Sequence, residues 1–431
     1  MKYATYNEYK PSGITWLGNV PSHWTVARSD GIVSSERRQV QPEAFLSEDV
    51  FHYSIPLVQE YGTGAVEEGE SIKSAKQPVY RKSLLVSKLN PRKATIVVAE
   101  PQANLRTVCS TEFVTLFADK CDLRFLTYVT LSEAFRQRLD AAVQSVTRSH
   151  QRANPQDIYS FWNAWPPVDE QQTIARFLDA KTAQIDALVA QKLQLIAKLK
   201  EKRQALIART VTRGLPPEAA KAAGLEPNPE MKDSGVDWLG EIPAHWTAKA
   251  VRYIFRNCDS HRIPLSSEER ADLEKLYPYY GASGVIDMVD NYLFDEPLVL
   301  VAEDGANLLS RSTPLAFLAT GKYWVNNHAH ILKPHSGDIR YWVATLETFD
   351  FSPLITGAAQ PKLTADRLGG IRLPVPPATE QVIIADYLAT KTGELDALIG
   401  RAVDVVDRLT EYRQALITSA VTGKIDVRGV A

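Results

Sequence analysis

The most regular hydrophobic pattern in the chain occurs twice. Leu178, Ile185, Leu188, Val189, Leu195, Ile196, Leu199 and Leu206 recur at sevenfold spacing, and Leu388, Leu395, Leu398, Ile399, Val405, Val406, Leu409 and Leu416 repeat that register 210 residues later. Each stripe needs a long apolar partner, so mutual pairing is the economical solution. The spacing predicts one long helix over 166–212 and another over 376–424, each roughly 60 Å long at 1.5 Å per residue. Asp169 and Thr379 occupy N-cap positions behind Pro pairs, while Gly214 and Gly423 follow the last apolar turns. Lys192 and Lys202 interrupt the first stripe where Ala402 and Tyr412 stand in the second.

Elsewhere the apolar runs are short. Leu84–Ser87, Thr95–Ala99 and Phe113–Phe117 read as strands before the first helix, and Leu298–Ala302 and His330–Leu332 before the second. Helical stretches at Arg124–Ala142 and Tyr341–Thr348 accompany them. Each segment reads as a compact α/β or α+β domain.

The helices are part of a wider repeat. Ser12-Gly13-Ile14-Thr15-Trp16-Leu17-Gly18-Asn19-Val20-Pro21-Ser22-His23-Trp24-Thr25 returns 222 residues later, from Ser234 to Thr247, with nine of fourteen positions identical. From Pro166 to Thr212 against Pro376 to Thr422, 21 of 47 positions agree. Residues 26–165 and 248–375, between these repeats, show no comparable likeness to each other. The predicted organisation is a first domain with its opening motif (1–165), a helix (166–212), a surface linker (213–233), a second domain with its motif (234–375), a second helix (376–424) and a short tail (425–431). His23 and His245, in the Pro-x-His-Trp motif, are read as part of a Trp-anchored turn that packs each domain onto the helices.

Composition narrows the chemistry. The 431 residues carry 49 Lys plus Arg against 51 Asp plus Glu, a balance that at first sight argues against nucleic acid. Residues 170–213 nevertheless hold nine cations and four anions. No apolar run is long enough for a membrane span and the first residues lack a signal-peptide core, so a cytoplasmic location is expected. Cys109, Cys121 and Cys258 are too widely spaced for a zinc half-site or a disulfide framework, and read as buried or idle thiols. Gly321-Lys322 lacks the phosphate-loop context, Gly62-Thr63-Gly64 lacks a third Gly, and Asn90-Pro91, Asn154-Pro155 and Asn228-Pro229 do not continue as an amino-methyltransferase tetrapeptide. No catalytic residue is assigned. His328 and His330 could share one strand face, but His335 and Asp338 add no recognised ligand spacing, and no metal site is assigned.

The opening motif of each half, the Pro-Pro-x-x-Glu-Gln helix starts and the Arg-Gln-Ala-Leu-Ile ends at Arg203–Ile207 and Arg413–Ile417 together resemble the specificity subunit of type I restriction-modification systems. Tyr280-Gly281-Ala282-Ser283-Gly284, Asn326-Asn327-His328-Ala329-His330 and Gln360-Pro361-Lys362-Leu363 are similar to that family too. The resemblance implies a non-catalytic DNA reader: two target recognition domains, separated by two long helices pairing as an antiparallel coiled coil with an internal pseudo-twofold. Each domain would read half of an asymmetric, interrupted site in double-stranded DNA, the coiled coil setting the unread spacer. It further implies two modification subunits supplying S-adenosylmethionine and adenine methylation, two restriction subunits supplying ATP- and magnesium-dependent cleavage, and no cofactor in this chain. Expected DNA contacts are Arg148, His150, Gln151, Arg152 and Asn154, the densest polar and basic cluster of the first domain. In the second they are Tyr280, Ser283, Asn326, Asn327, Gln360 and Lys362, which carry the family-like loops. The expected coiled-coil contacts are Leu178, Ile185, Leu188, Leu195, Leu199 and Leu206 against Leu388, Leu395, Leu398, Val405, Leu409 and Leu416. Other readings are a modification-only complex, a DNA enzyme with an unrecognised site, and a coiled-coil scaffold without a DNA role.

Overall fold

A computed structural model describes residues 3–141, 151–357 and 360–429. Two long helices run through it, Val168–Arg213 of 46 residues and Ala378–Val421 of 44, each roughly 65–70 Å long at 1.5 Å per residue. The chain divides into two compact units, Met1–Leu193 with Asp404–Ala431, and Gln194–Val403. The cuts fall inside the helices, at positions equivalent under the 210-residue repeat. Each unit thus gathers one globular domain, the start of one helix and the end of the other.

In the first unit Ile174, Phe177, Leu178 and Ile185 share a core with Leu416, Ile417, Ala420 and Val421. In the second, Leu206, Ile207 and Val211 meet Ile384, Ala385 and Leu388. Beginning packs on end in both, so the helices run antiparallel. One ion pair across the seam repeats in each unit: Arg413 Nε lies 2.8 Å from Asp186 Oδ1 in the first, and Arg203 Nε lies 2.9 Å from Asp396 Oδ1 in the second.

The seam is narrower than the apolar stripe suggests. Leu178, Ile185, Leu388, Leu395 and Leu416 are buried, and Leu199, Leu206 and Leu409 are half-buried. Leu188, Leu195, Leu398 and Val405, expected in the contact, are instead 39–45% exposed. A two-helix contact covers only one pair of positions per heptad, and these four flank it. Ala402 is buried and Lys192 half-buried in the seam, whereas Lys202 and Tyr412 are exposed. Asp169 and Thr379 fall inside the first helical turn; the helices start at Val168 and Ala378, with the Pro167 and Pro377 carbonyls accepting from the Gln171 and Gln381 amides. Gly214 (φ +81°) and Gly423 (φ +71°) take the left-handed conformation just past the helix ends, where glycine is the least strained residue.

The two domains share a topology that their sequences conceal. In the first, a four-stranded sheet runs in the order Ala65–Glu68, Asp49–Tyr53, Arg106–Ser110, Lys76–Pro78, with its central pair parallel. In the second, the order is Gly284–Val289, Tyr277–Gly281, Lys322–Val325, Phe294–Asp295, again with a parallel central pair. Beside these stand Phe113–Leu116, Ser83–Ser87, Ile96–Ala99 in one domain and Ala329–Pro334, Leu298–Ala302, Ala316–Ala319 in the other, the latter extended at one edge by Phe255–Asn257. Each domain is closed at a neck, where Thr25–Arg28 pairs with Trp162–Trp165 and Thr247–Ala250 with Arg372–Val375. The single helix expected over 124–142 is two, Leu123–Leu131 and Glu133–Ala141. They break at Ser132, which turns extended and accepts from the Phe135 amide.

A buried carboxylate fastens each neck to the helices. In the first unit Glu170 accepts from the Trp24 indole N–H at 3.1 Å and the Tyr6 hydroxyl at 2.7 Å, and its other oxygen is 2.7 Å from His23 Nε2. In the second, Glu380 Oε2 accepts from Trp246 Nε1 at 3.0 Å and lies 2.9 Å from His245 Nε2. The next residue repeats as well: Gln171 Oε1 accepts from the Asp122 amide, and Gln381 Oε1 from that of Asp338. Trp24 and Trp246 are fully buried. A Cβ at Gly423 would lie 2.4 Å from Pro21, and one at Gly214 would touch Trp246. The Pro-x-His-Trp turn therefore joins the start of one helix to the end of the other.

Residues 213–233 are not a bare linker. Leu215 and Ala220 are buried, Pro217–Ala222 is helical, and Met231–Asp233 pairs with Glu241–Pro243. The tail also packs, with Val427 buried and the Asp426 amide donating to the Ala4 carbonyl. No helix among the described residues is long and apolar enough to cross a membrane.

The seam makes a direct prediction. The pair Ile185→Asp with Leu395→Asp buries charge and is expected to cost about 3 kcal/mol or more, whereas Leu188→Asp with Leu398→Asp costs little. Urea unfolding of both double variants checks this; equal destabilisation would contradict the narrow seam.

Candidate nucleic-acid interface

The strand that returns from each domain to its neck passes the same two loops. In the first domain the Asn90 amide donates to the Gln151 carbonyl, Ala153 to Lys88, and Lys88 to Glu112, at 2.8–3.0 Å. In the second the Gly305 amide donates to Pro361, Leu363 to Glu303, and Glu303 to His328, at 2.7–3.0 Å. Isolated bridges pair Leu89 with Arg152 and Asp304 with Lys362. Bond for bond, Lys88 matches Glu303, Glu112 matches His328, and Arg152 matches Lys362. Arg152 and Lys362, each an expected contact of its own domain, thus occupy the same place.

The expected contacts do not all face solvent. Arg152, Asn154, Ser283, Asn327, Gln360 and Lys362 are exposed and Gln151 half-buried. Arg148 and His150 lie outside the described residues. Asn154 spends its side-chain oxygen on the Gln156 amide, capping the Pro155–Tyr159 helix. Asn326 is buried, and its oxygen accepts from the His328 amide, which makes it a turn former, contrary to expectation. Tyr280 is half-buried, stacked on Phe317 and edge-on to Tyr323. Ser283 stands at the tip of the hairpin closed by Gly281 and Gly284.

Sequence reasoning missed the turns that support the return strands. Asn90 (φ +45°) and Ala94 (φ +46°) are left-handed on either side of the Pro91–Lys93 turn, and Arg311 (φ +47°) is left-handed after the equivalent Asn307–Ser310 turn. Non-glycine residues in this region carry strain that concentrates at functional loops. The Asn90-Pro91 and Asp304-Gly305 dipeptides were the available signal.

Beneath Lys362 lies an ion network. Glu303 is paired with Arg262, lies 3.2 Å from Lys362 Nζ and 3.6 Å from His330 Nδ1. His330 is buried, with Nδ1 2.6 Å from Asp259 and Nε2 2.8 Å from the Leu363 carbonyl. Asp259, Glu303 and His330 present ligand atoms within 4.8 Å of one another. Both His330 nitrogens are engaged and Arg262 and Lys362 already neutralise the acids, so the cluster suits ion pairing rather than a divalent metal. Burial pulls the Asp259 and Glu303 carboxyls upward, but hydrogen bonds from His330 and Arg262 respectively leave both below their ordinary values. Burial pushes the thiols of Cys109 and Cys121 up to about 12, which leaves them unreactive.

Residues 245–399 match the family described as the type I restriction modification DNA specificity domain. The chain is 37% identical over 121 residues to a putative type I restriction enzyme specificity subunit of Haemophilus influenzae, covering 27% of this chain and 31% of that protein. It is 22% identical over 188 residues to the EcoDI type I specificity subunit of Escherichia coli, covering 43% and 40%. These matches span less than half the length of either relative. A chain from a structure of type I restriction-modification complex assembly and conformational transition superposes with a TM-score of 0.69 at 15% identity, over 93% of this chain and 98% of that one. That likeness extends the shared fold over nearly the whole chain.

Because the Asp259 and Glu303 carboxyls are held low, the stability they contribute is fully present above their unfolded-state values. It is lost as the pH falls through the folded ones. Thermal melts from about pH 6 down to 2 are expected to show a steep acid limb that is shallower in Asp259→Asn. An identical limb in the variant would contradict the network's role.

Proposed function

We infer that this chain, whose second half carries the type I specificity domain, is the DNA specificity subunit of a type I restriction-modification system. It does no chemistry itself. Each domain reads one half of an interrupted double-stranded site, and because the two differ in sequence, the half-sites differ. The paired helices fix the unread spacer. One observation carries the reading: two domains of one topology and unrelated sequence, each inserted through a closed neck at the start of one of two matching helices.

Modification subunits supply S-adenosylmethionine and transfer the methyl group; restriction subunits supply ATP- and magnesium-dependent cleavage. Leu188, Leu193 and Val405 in the first unit and Leu195, Leu398 and Val403 in the second are exposed apolar side chains flanking the seam, and they offer a docking surface for the modification subunits. With a net charge of −2, the chain leaves much of the phosphate neutralisation to its partners.

Sequencing modified adenines in DNA from cells carrying the complete system is expected to return a split, asymmetric motif; a continuous or palindromic one would contradict the reading. Leu188→Asp with Leu398→Asp is expected to leave the chain folded and weaken its co-purification with modification subunits at least tenfold. Undiminished assembly would exclude the flanking positions as the docking surface.

A further inference from the structure

Arg152 and Lys362 hold equivalent places, and each has a carboxylate behind it. Arg152 Nη2 donates to Glu112 Oε1 at 3.1 Å, and Lys362 Nζ lies 3.2 Å from Glu303 Oε1. The cations face outward, with 62% and 51% of their side chains exposed, whereas the acids are withdrawn, at 23% and 10%. The acids come from different places in the two domains. Glu112 matches His328, and Glu303 matches Lys88, so the carboxylate has changed strands and still ends beneath the same cation.

We propose that Glu112 and Glu303 are positioning residues that hold Arg152 and Lys362 toward a guanine in each half-site; this rests on the DNA-reading function above. A guanidinium has five N–H donors in a fixed fork, so one spent on Glu112 leaves others for the O6 and N7 acceptors of guanine in the major groove. An ammonium has three donors, and one taken by Glu303 leaves two. Fixing a long side chain beforehand removes the cost of ordering it on binding.

Stability alone does not account for the arrangement. The Arg152–Glu112 pair is exposed enough to add little to folding, and among the described residues one oxygen of Glu112 is buried without a hydrogen-bond partner, with Lys88 Nζ 3.9 Å away. A pair built only for stability would satisfy that oxygen. Held from one side, Arg152 keeps the remainder of its fork for another acceptor.

The test uses the complete modification complex in cells, with the adenine-methylation motif read by sequencing. Glu112→Gln and Arg152→Ala are expected to relax the same single guanine, in one half-site only, with discrimination at that base falling roughly tenfold or more. Glu303→Gln and Lys362→Ala are expected to relax one guanine in the other half-site, and Glu112→Asp to restore part of the preference. Methylation that drops evenly at all sites with the motif intact would reduce the pairs to a structural role and overturn the proposal, as would relaxation at a base other than guanine or at different bases for the acid and its cation. A wild-type motif that is not split would overturn the functional reading itself.

Discussion

Two buried carboxylates, Glu170 and Glu380, are the contacts on which the rest of the structure depends. Each lies in the first turn of a long helix and accepts from the indole N–H of a fully buried Trp in a domain's opening turn. A buried carboxylate deprived of such donors is costly, so helix and domain are fixed to each other in a single geometry. The glycine ending the other helix touches the same turn, because only a residue without a Cβ lets Pro21 approach Gly423 so closely. Helix start, helix end and domain neck thus meet at one point in each unit, which is why the two widely separated sequence repeats recur together.

Above that junction little is constrained. The neck strands are paired by backbone hydrogen bonds, which do not depend on what the domain beyond them contains. The same sheets can then be built from unrelated residues, one domain using a helix Ile55–Tyr61 after its central strand where the other uses the tight turn at Gly281–Gly284. A fixed frame carrying replaceable surfaces suits the proposed function, in which the two halves read different sequences.

How legible this was in the sequence followed physical scale. A sevenfold stripe sustained from Leu178 to Leu206, and again from Leu388 to Leu416, leaves one solution, so both helices and their pairing were readable. The seam's width was not, because Leu188 and Leu398 look like seam residues until the crossing geometry places them beside it. The common topology of the domains was invisible, since strand order is set by long-range pairing that leaves no trace when side chains differ. Within the site, Arg152 could be singled out in a polar and basic cluster before the return to the helix, and Lys362 through its family-like Gln-Pro-Lys-Leu loop. Their equivalence, and the acids Glu112 and Glu303 supplied from elsewhere in the chain, required the three-dimensional register. Asn326 misled because a polar residue in a loop looks the same whether it reads a base or holds a turn.

The most direct test exchanges residues 26–165 for the corresponding segment of a type I specificity subunit, cutting at the neck formed by Thr25–Arg28 and Trp162–Trp165. The adenine-methylation motif of the reassembled complex is then read. A frame with independent readers predicts that one half-site takes the donor's sequence while the other half-site and the spacer length stay as they were. A change in both half-sites, or in the spacer, would contradict it.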